Sequence, residues 1–540
     1  MADETTQNND ENPIPSIVAR KLKSPVKNGA WNRKDKELLF AAVHSNDRVS
    51  LSRQDACPIW SFTAPGSGEA GVLVWNPQGT AFAVGCTDGT VFWVDATRSS
   101  PKDCICWPRK DQGLKRKTTS YPAITALQCI NYGDRSQCAS EIIACPMKQL
   151  DFNPLPRPLI QNAQRPGAPL PAEPQRVKHS TLLLIGDAEG DIHLCLDISY
   201  YIGTIHTDTT KQESRPYSVT GINLTDDDSR LEVSLTSDTK DTKKITLPCD
   251  VLRDRKKALC GIVEIYSTVN FLIAYLRQCL SVVTEHHNAI IRLAKRFDED
   301  AVDHLKEQQE ETDHQFHAEL LGILATGNTT TAIKNFLKKK LDSQSLKNWN
   351  TSALHSYSCI NTIAYTNIEP AIVRLKLQLS KLSGFSQWTE QYGALLNKAQ
   401  IDLASSAVNL LFKRLSEYCV RSTSTSKRFK EFSTWLTYYA CKFASDESRE
   451  YSETDDTSMP WDDYSPILEY LENDLATDRL HEYIYTDPDL KLDDSKLNDS
   501  TSDDWRRASL SQILNMIEDK CKVVLSTPAD EVGKSFQAKT

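Results

Sequence analysis

The sequence is short of the features that mark secreted, membrane-spanning and nucleic-acid-binding proteins. Its 15 cysteines are scattered over 540 residues, and none of them forms the paired CxxC spacing of a zinc site. No apolar run approaches the roughly 18 residues of a membrane span, and the first residues, MADETTQNNDENP, are too acidic for a signal peptide. The net charge of -9 lacks the basic excess that nucleic-acid binding requires. We therefore expect reduced cysteines, and no membrane or nucleic acid among the partners.

Motifs that hold a cofactor are also scarce. The stretch Gly66-Ser-Gly-Glu-Ala-Gly71 matches the G-x-G-x-x-G of a dinucleotide-binding loop, which requires a strand before it and a helix after it. Here the apolar run Val72–Trp75 follows, then a turn and a second apolar run, which predicts strands on both sides of a plain loop. The sequence contains no Walker loop and no Gly-x-Ser-x-Gly element.

The sequence also lacks the residue groupings that are typical of metal-binding sites and of catalytic nucleophiles. One Glu-x-x-His motif, Glu311 to His314, occurs on a polar stretch, whereas a di-iron site needs two such motifs. His286 and His287 are adjacent, and neighbours on a helix point about 100° apart. Cys104 and Cys106 have no histidine nearby in the sequence to act as a base. We predict no catalytic residues, no metal ligands, no cofactor and no small-molecule substrate.

The first half of the chain is repetitive. Short β-rich runs meet at polar turns near Asp47, Asp88, Glu189 and Asp227. The turns are spaced by about 40 residues apart from one gap near twice that, and such a period is typical of four-stranded propeller blades. The wide gap contains a further β-rich unit at residues 124–130 and 141–145, so we count four or five blades. A β-sandwich with coincidental spacing is the alternative.

The second half changes to the helical period. From residue 258 onward apolar residues recur every three or four positions over long stretches joined by short polar loops, which predicts a bundle of long helices. The fold class is therefore a partial WD40-type β-propeller followed by a long-helix (four-helix) bundle. The predicted regions are a disordered arm at 1–34, propeller blades at 35–252 with a proline-rich loop at 150–177, the bundle at 253–445, an acidic linker at 446–465 and a helical segment at 466–540.

Two short linear elements suggest regulation. Ser24-Pro25-Val26-Lys27 has the Ser-Pro-x-Lys form that cell-cycle kinases favour, which makes Ser24 a candidate phosphorylation site. Lys115-Arg116-Lys117 is a small basic cluster that fits either a nuclear-localisation element or a solvated turn.

Several long segments resemble one family in their amino-acid sequence and in their order along the chain. VLVWNPQGTAFAVGCTDGTVFWVD (72–95) and LLLIGDAEGDIHLCLDISYYIGTIH (182–206) look like propeller segments of subunit 4 of the anaphase-promoting complex (cyclosome). AELLGILATGNTTTAIKNFLKKKLDSQSLKNWN (318–350) and LKLQLSKLSGFSQWTE (375–390) resemble the helices of that family. The resemblance covers most of residues 35–445.

The resemblance implies a structural subunit of a multisubunit E3 ubiquitin ligase, found in the nucleus and cytoplasm, that transfers no ubiquitin itself. In that family the subunit forms a platform with subunits 1 and 5, which holds the cullin–RING module. Candidate interface anchors, each of which could instead pack inside the bundle, are Trp349, Trp388, Trp435 and Trp461. The family's propeller is completed by blades after the helices, and this chain ends without them, so we expect a truncated gene model or a fragment. The alternative function is an adaptor of another assembly, such as a vesicle coat or tether.

Overall fold

The chain divides into two compact units in the computed structural model. The sheet unit comprises Met1–Ala144, Val177–Val263 and Pro528–Thr540, and the helical unit comprises Cys145–Arg176 and Glu264–Thr527. The residues that the structure describes are 24–32, 38–53, 57–64, 68–97, 105–107, 121–134, 154–157, 179–207, 217–225, 227–237, 241–307, 315–340, 343–393, 395–445, 461–475, 477–487, 490 and 507–537.

In the described part of the sheet unit, fifteen strands form four antiparallel sheets, and each sheet runs in chain order. The first sheet contains β1 Val26–Trp31, β2 Leu39–His44, β3 Arg48–Arg53 and β4 Pro58–Thr63; the second, β5 Ala70–Trp75, β6 Ala81–Cys86, β7 Val91–Asp95 and β8 Ile105–Trp107; the third, β9 Ile124–Asp134, β10 His179–Asp187, β11 Asp191–Leu196 and β12 Tyr200–His206; the fourth, β13 Ser218–Leu224, β14 Arg230–Thr236 and β15 Thr242–Pro248. The strands β1, β5, β9 and β13 neighbour one another in that order. The sheets are therefore consecutive WD40-like blades in an open array, as the partial-propeller prediction required.

The second sheet shows why its strands are apolar throughout. Phe82 and Val84 of β6 face a core shared with the first sheet, which includes Val43. Ala81 and Ala83 of the same strand face a second core shared with the third sheet. Because successive side chains of a strand point to opposite faces, a sheet packed on both sides buries every residue of its middle strands.

A repeated glycine pattern sets both the turns and the spacing of the sheets. Gly85-Cys-Thr-Asp-Gly89 in the second sheet matches Gly186-Asp-Ala-Glu-Gly190 in the third. The second glycine of each copy has a positive φ, +76° at Gly89 and +89° at Gly190, which L-residues rarely adopt. The first glycine permits close approach of the next sheet: a Cβ on Gly186 would lie 2.5 Å from Cγ1 of Val219.

Three details of the sheet unit differ from the sequence predictions. The runs at 124–130 and 181–186 were counted as two blades, but β9 pairs directly with β10, so they belong to one sheet. The turn at Asp227 joins the first and second strands of its sheet, whereas the other three marked turns join the second and third. The strand β1 lies within the range 1–34 assigned to a disordered arm. It pairs with β2 along the main chain, Ala30 packs against the core of the first two sheets, and the ring of Trp31 lies 4.8 Å from that of Phe40.

Two helix ends also belong to the sheet unit and pack on its last two sheets. Lys256 at the start of α2 forms a 2.6 Å ion pair with Asp228 and lies over the ring of Tyr132. Near the end of α11, the backbone at Ala529 and Gly533 approaches Gly203 of β12.

The described helices are α1 Asp250–Asp254, α2 Lys256–Glu307, α3 Gln315–Thr326, α4 Thr331–Asn335, α5 Ser343–Ile363, α6 Glu369–Gln387, α7 Thr389–Tyr392, α8 Lys398–Ser445, α9 Ser465–Glu469, α10 His481–Ile484 and α11 Leu510–Gln537, with π-helical turns at Phe336–Lys340, Ala364–Ile368 and Tyr470–Leu475. At about 1.5 Å per residue, the 48 residues of α8 span roughly 72 Å. The predicted helical region is therefore present.

The sequence leaves some helix boundaries open and misplaces others. Glu369-Pro370 can either kink a helix or start a new one, and in the structure α6 starts at Glu369, directly after the π-helical turn Ala364–Ile368. Gly384 fits a C-cap by sequence, but α6 continues through it to Gln387. The apolar spacing predicts separate helices at 388–420 and 427–443, whereas the structure has one helix, α8, from Lys398 to Ser445.

The helix α2 has the length and composition of a membrane span. An 18-residue window within Lys256–Lys306 has a mean hydropathy of 1.6 although no uninterrupted apolar run is that long, and 56% of the window is buried inside the protein. A core helix with a wide apolar face passes the same test, so this feature is weak evidence for a membrane.

Candidate interaction surface

The four predicted tryptophan anchors have different environments. Trp435 is fully buried and Trp349 is 9% exposed, so both belong to the core of the helical unit. The ring of Trp349 stacks on Phe297 at a centroid distance of 4.6 Å and meets Phe429 edge-on at 5.5 Å. For these two tryptophans the burial favours the packing interpretation over the interface interpretation.

Trp388 is an exposed aromatic on a rigid support. It is 44% exposed and lies between α6 and α7. Its ring lies 6.1 Å from that of the buried Tyr392, which stacks on Phe385 at 4.6 Å. Trp461 is partly exposed and meets Tyr438 edge-on at 5.5 Å. An aromatic side chain held in place while exposed loses little entropy on binding, which suits it to an interface.

A second group of exposed apolar residues lies on α8. Phe412 is 40% exposed and Val420 is 69% exposed, and each is followed by an exposed cation, Lys413 and Arg421. We call these four residues the α8 surface. Sequence analysis did not single them out, although their signal is visible as apolar residues outside the buried stripe of the helix.

Neighbouring helices expose further apolar residues. Tyr365, 53% exposed, interacts with Cys419 of α8, and Val373 of α6 is 42% exposed. The ring of Trp349 on α5 contacts Phe432 of α8, and the ring of Tyr357, further along α5, contacts Phe429, which comes earlier in α8. The two helices therefore run antiparallel. The contact of Tyr365 with Cys419 continues the same antiparallel order.

The charged groups next to α8 serve the fold. Arg428 donates from Nε to Asp474 at 2.8 Å, and that carboxylate side chain is only 3% exposed. Burial raises the pKa of Asp474, and the nearby Arg428 opposes the rise. The guanidinium of the buried Arg414 lies 3.8 Å from the ring centroid of Tyr483, and its Nε donates to the carbonyl oxygen of Ala508. These contacts attach the segments after residue 461 to α8.

Four buried cysteines of the described residues show no activation. Burial is the main cause that raises the pKa of Cys249, Cys279 and Cys521 to about 12 and that of Cys419 to about 11. Because the thiolate is the nucleophile, these thiols are unreactive at neutral pH. Of the predicted pair, Cys104 lies outside the described residues and Cys106 lies in β8.

The histidines have separate surroundings. Burial, and secondly His355, lower the pKa of His286. His287 instead lies 3.3 Å from a carboxylate oxygen of Asp478. The Glu311–His314 motif and the basic cluster at 115–117 lie outside the described residues. Within the part of the chain that the structure describes, no three His, Cys, Asp or Glu side chains are grouped for a metal ion.

The glycine-rich loop is held as a connection between strands. It joins β4 to β5, the backbone N–H of Gly68 donates to Asp88 at 2.9 Å, and that of Glu69 donates to Thr87 at 2.8 Å. Because no helix follows the loop, the predicted strand–loop–strand context is confirmed.

Sequence comparison agrees with this architecture. The family described as "Anaphase-promoting complex, cyclosome, subunit 4" matches residues 243–446, and "Anaphase-promoting complex subunit 4 WD40 domain" matches residues 30–112. The chain belongs to the anaphase-promoting complex subunit 4 family. The WD40-domain match begins near the end of β1 and takes in the rest of the first two sheets, and the other match runs from β15 to the end of α8. The third sheet and the strands β13 and β14 of the fourth lie between the two matches.

Individual relatives give the same result at low identity. The chain is 20% identical over 423 residues to "Anaphase-promoting complex subunit 4" of Schizosaccharomyces pombe, which covers 76% of this chain and 56% of the relative. It is 28% identical over 130 residues to the protein of the same name from Homo sapiens, which covers 24% of this chain and 16% of the relative. The chain thus spans about half the length of the yeast relative, and less of the human one.

Proposed function

We propose that the chain is a non-catalytic platform subunit of the anaphase-promoting complex, a cullin–RING E3 ubiquitin ligase of the cell cycle, and that it acts in the nucleus and the cytoplasm. Its partners would be other subunits of that complex, with scaffold subunits 1 and 5 in direct contact and the cullin–RING module held indirectly. Family membership supports the choice of complex. Long helices and stacked sheets support a role in spacing other subunits.

The observation that carries the proposal is the set of exposed apolar side chains on the helical unit. Trp388, Phe412 and Val420 are supported by buried residues of the helices α6, α7 and α8 while their own side chains face solvent. Buried aromatic and apolar anchors provide most of the binding free energy at protein interfaces. The cations Lys413 and Arg421 favour a partner that carries apolar side chains surrounded by carboxylates.

Purification from native extract tests the proposal. The tagged full chain is expected to recover cullin, RING and large scaffold subunits of the anaphase-promoting complex, identified by mass spectrometry. Val420→Asp places a charge in the α8 surface and is expected to lower that recovery at least about tenfold, the effect of roughly 1.4 kcal/mol of binding free energy. Val523→Asp is the matched control, because Val523 is also an exposed helical valine, 48% exposed on α11.

The alternative outcomes are distinguishable. Recovery of vesicle-coat or tethering proteins would replace the platform role with an adaptor role in another assembly. If the folded chain recovers no partner, the proposed function as a platform subunit would be contradicted. If the two valine variants lower recovery equally, the proposed membership of the complex would stand, but the α8 surface would be rejected as the docking surface.

A further inference from the structure

Ser24 lies two residues before β1, the first strand of the first sheet. It opens the sequence Ser24-Pro25-Val26-Lys27, in which proline follows the serine and lysine stands three positions after it. Other Ser/Thr-Pro pairs in the described residues, Ser465-Pro466 and Thr527-Pro528, lie in helices and lack a lysine at the third position. Ser24 therefore differs from them in both sequence and backbone conformation.

A buried histidine holds the Ser24 side chain. Nδ1 of His44 lies 2.9 Å from Oγ of Ser24 and 3.2 Å from its carbonyl oxygen. Since a carbonyl oxygen only accepts, Nδ1 carries the proton and donates. Nε2 then accepts from the hydroxyl of Ser50 at 2.7 Å, and the imidazole, 5% exposed, is fixed in orientation.

The segment around Ser24 joins the sheet differently from the rest of β1. A register irregularity between Val26 and Asn28 separates the start of the strand from the regular ladder to β2. Residues 24–27 are held by the pairing of Val26 with His44, by the hydrogen bond from the N–H of Ser45 to the carbonyl of Pro25 and by the ion pair of Lys27 with Glu69. That ion pair is solvent-exposed and contributes little to stability.

We propose that Ser24 is a phosphorylation site for a proline-directed serine/threonine kinase, and that His44 restrains its hydroxyl until the segment is released. In the reaction Oγ of Ser24 attacks the γ-phosphorus of ATP, the hydroxyl proton passes to the base of the kinase, and ADP leaves. The product carries a charge of about -1.5 to -2 at neutral pH. Its phosphate oxygens accept from Nδ1 of His44 more strongly than the hydroxyl did.

The experiment measures phosphorylation rates of the full chain. Purified chain is incubated with a cyclin-dependent kinase and ATP, and site occupancy is followed by mass spectrometry. Ser24 is expected to fill faster than Ser465 or Thr527. His44→Ala removes the hydrogen bond that restrains the Ser24 hydroxyl. Because one hydrogen bond of typical net strength is lost, this variant is expected to accelerate Ser24 phosphorylation about two- to tenfold. Ser50→Ala keeps the hydrogen bond between Ser24 and His44. It is therefore expected to change the phosphorylation rate less than about twofold.

A second pair of variants keeps the test decisive if His44→Ala does not fold. Lys27→Ala removes both the recognition lysine and the ion pair and is expected to slow phosphorylation, whereas Glu69→Gln removes only the ion pair and is expected to preserve or increase the rate. The proposal is overturned if Ser24 stays unmodified while Ser465 or Thr527 is modified, or if Lys27→Ala leaves the rate unchanged. An unchanged rate in folded His44→Ala overturns the restraint. None of these results depends on which complex the chain joins.

Discussion

The sheet unit and the helical unit depend on different kinds of sequence information. In the sheets a short local pattern, repeated at Gly85–Gly89 and Gly186–Gly190, sets both the turn and the approach of the next sheet. In the helical unit the segment RSTSTS (421–426) favours a break, yet α8 runs through it. Ser422 and Thr425 are buried there, so packing against neighbouring segments overrides local preference. At these positions a local pattern sets the geometry of the sheets, whereas tertiary packing sets the continuity of the helix.

The largest expected effect separates the two classes of tryptophan in the helical unit. Trp435→Ala removes a fully buried ring and is expected to lower the free energy of unfolding by about 3–5 kcal/mol. Trp388→Ala is the matched control and should change it by less than about 0.5 kcal/mol, since the ring is exposed. Urea titrations of both variants, followed by tryptophan fluorescence and circular dichroism, provide the comparison. Equal losses would contradict the assignment of Trp435 to the core.

The next effect tests whether buried charge in the helical unit must stay paired. Arg428→Met leaves Asp474 buried without its 2.8 Å partner and is expected to cost about 3 kcal/mol of stability. The double variant Arg428→Met with Asp474→Leu should recover most of that loss, because an apolar pair can replace a buried ion pair. Denaturant titration of the single and double variants measures the coupling. Additive losses would show that the two side chains act independently.

Glycine substitutions should have opposite signs in the two units. Gly186→Ala places a Cβ 2.5 Å from Val219 and is expected to destabilise the sheet unit by about 1–3 kcal/mol. Gly322 lies in α3, and a Cβ added there would meet no neighbouring atom of the described residues within 4 Å, so Gly322→Ala should stabilise the helical unit by up to about 1 kcal/mol. Hydrogen exchange of each unit resolves the two effects. Destabilisation by both substitutions would remove the contrast.

The smallest effect is a pH dependence at His286. Its pKa is lowered in the folded chain because burial, and secondly His355, disfavour its charged form, while Glu285 acts in the opposite direction. The unfolded chain therefore binds a proton more readily, and this contribution to stability is lost as the pH falls below about 6.5, the ordinary value for histidine. Thermal unfolding at pH 7.5 and 5.5 should show a decrease in Tm that is smaller in His286→Asn. An identical decrease in the variant would assign the effect to other groups.

Sequence analysis was most successful where the signal is local. The hairpin turns at Asp47, Asp88 and Glu189 and the long helices were predictable from turn residues and apolar period. The pairing of β9 with β10 was not, because their separation along the chain conceals that they form one sheet. The exposure of Trp388 and the burial of Trp435 were equally beyond prediction, since both are tryptophans on helical segments and only tertiary packing separates them. The α8 surface required the same tertiary information.

Cross-linking mass spectrometry of the native assembly tests the central claim most directly. Lys413 adjoins Phe412 on α8, and Lys376 lies one turn beyond Val373 on α6. If these helices dock on other subunits of the anaphase-promoting complex, amine-reactive cross-links should join Lys376 and Lys413 to scaffold subunits. Cross-links from both lysines that stay within the chain, in an assembly that contains the scaffold subunits, would contradict the proposed docking surface.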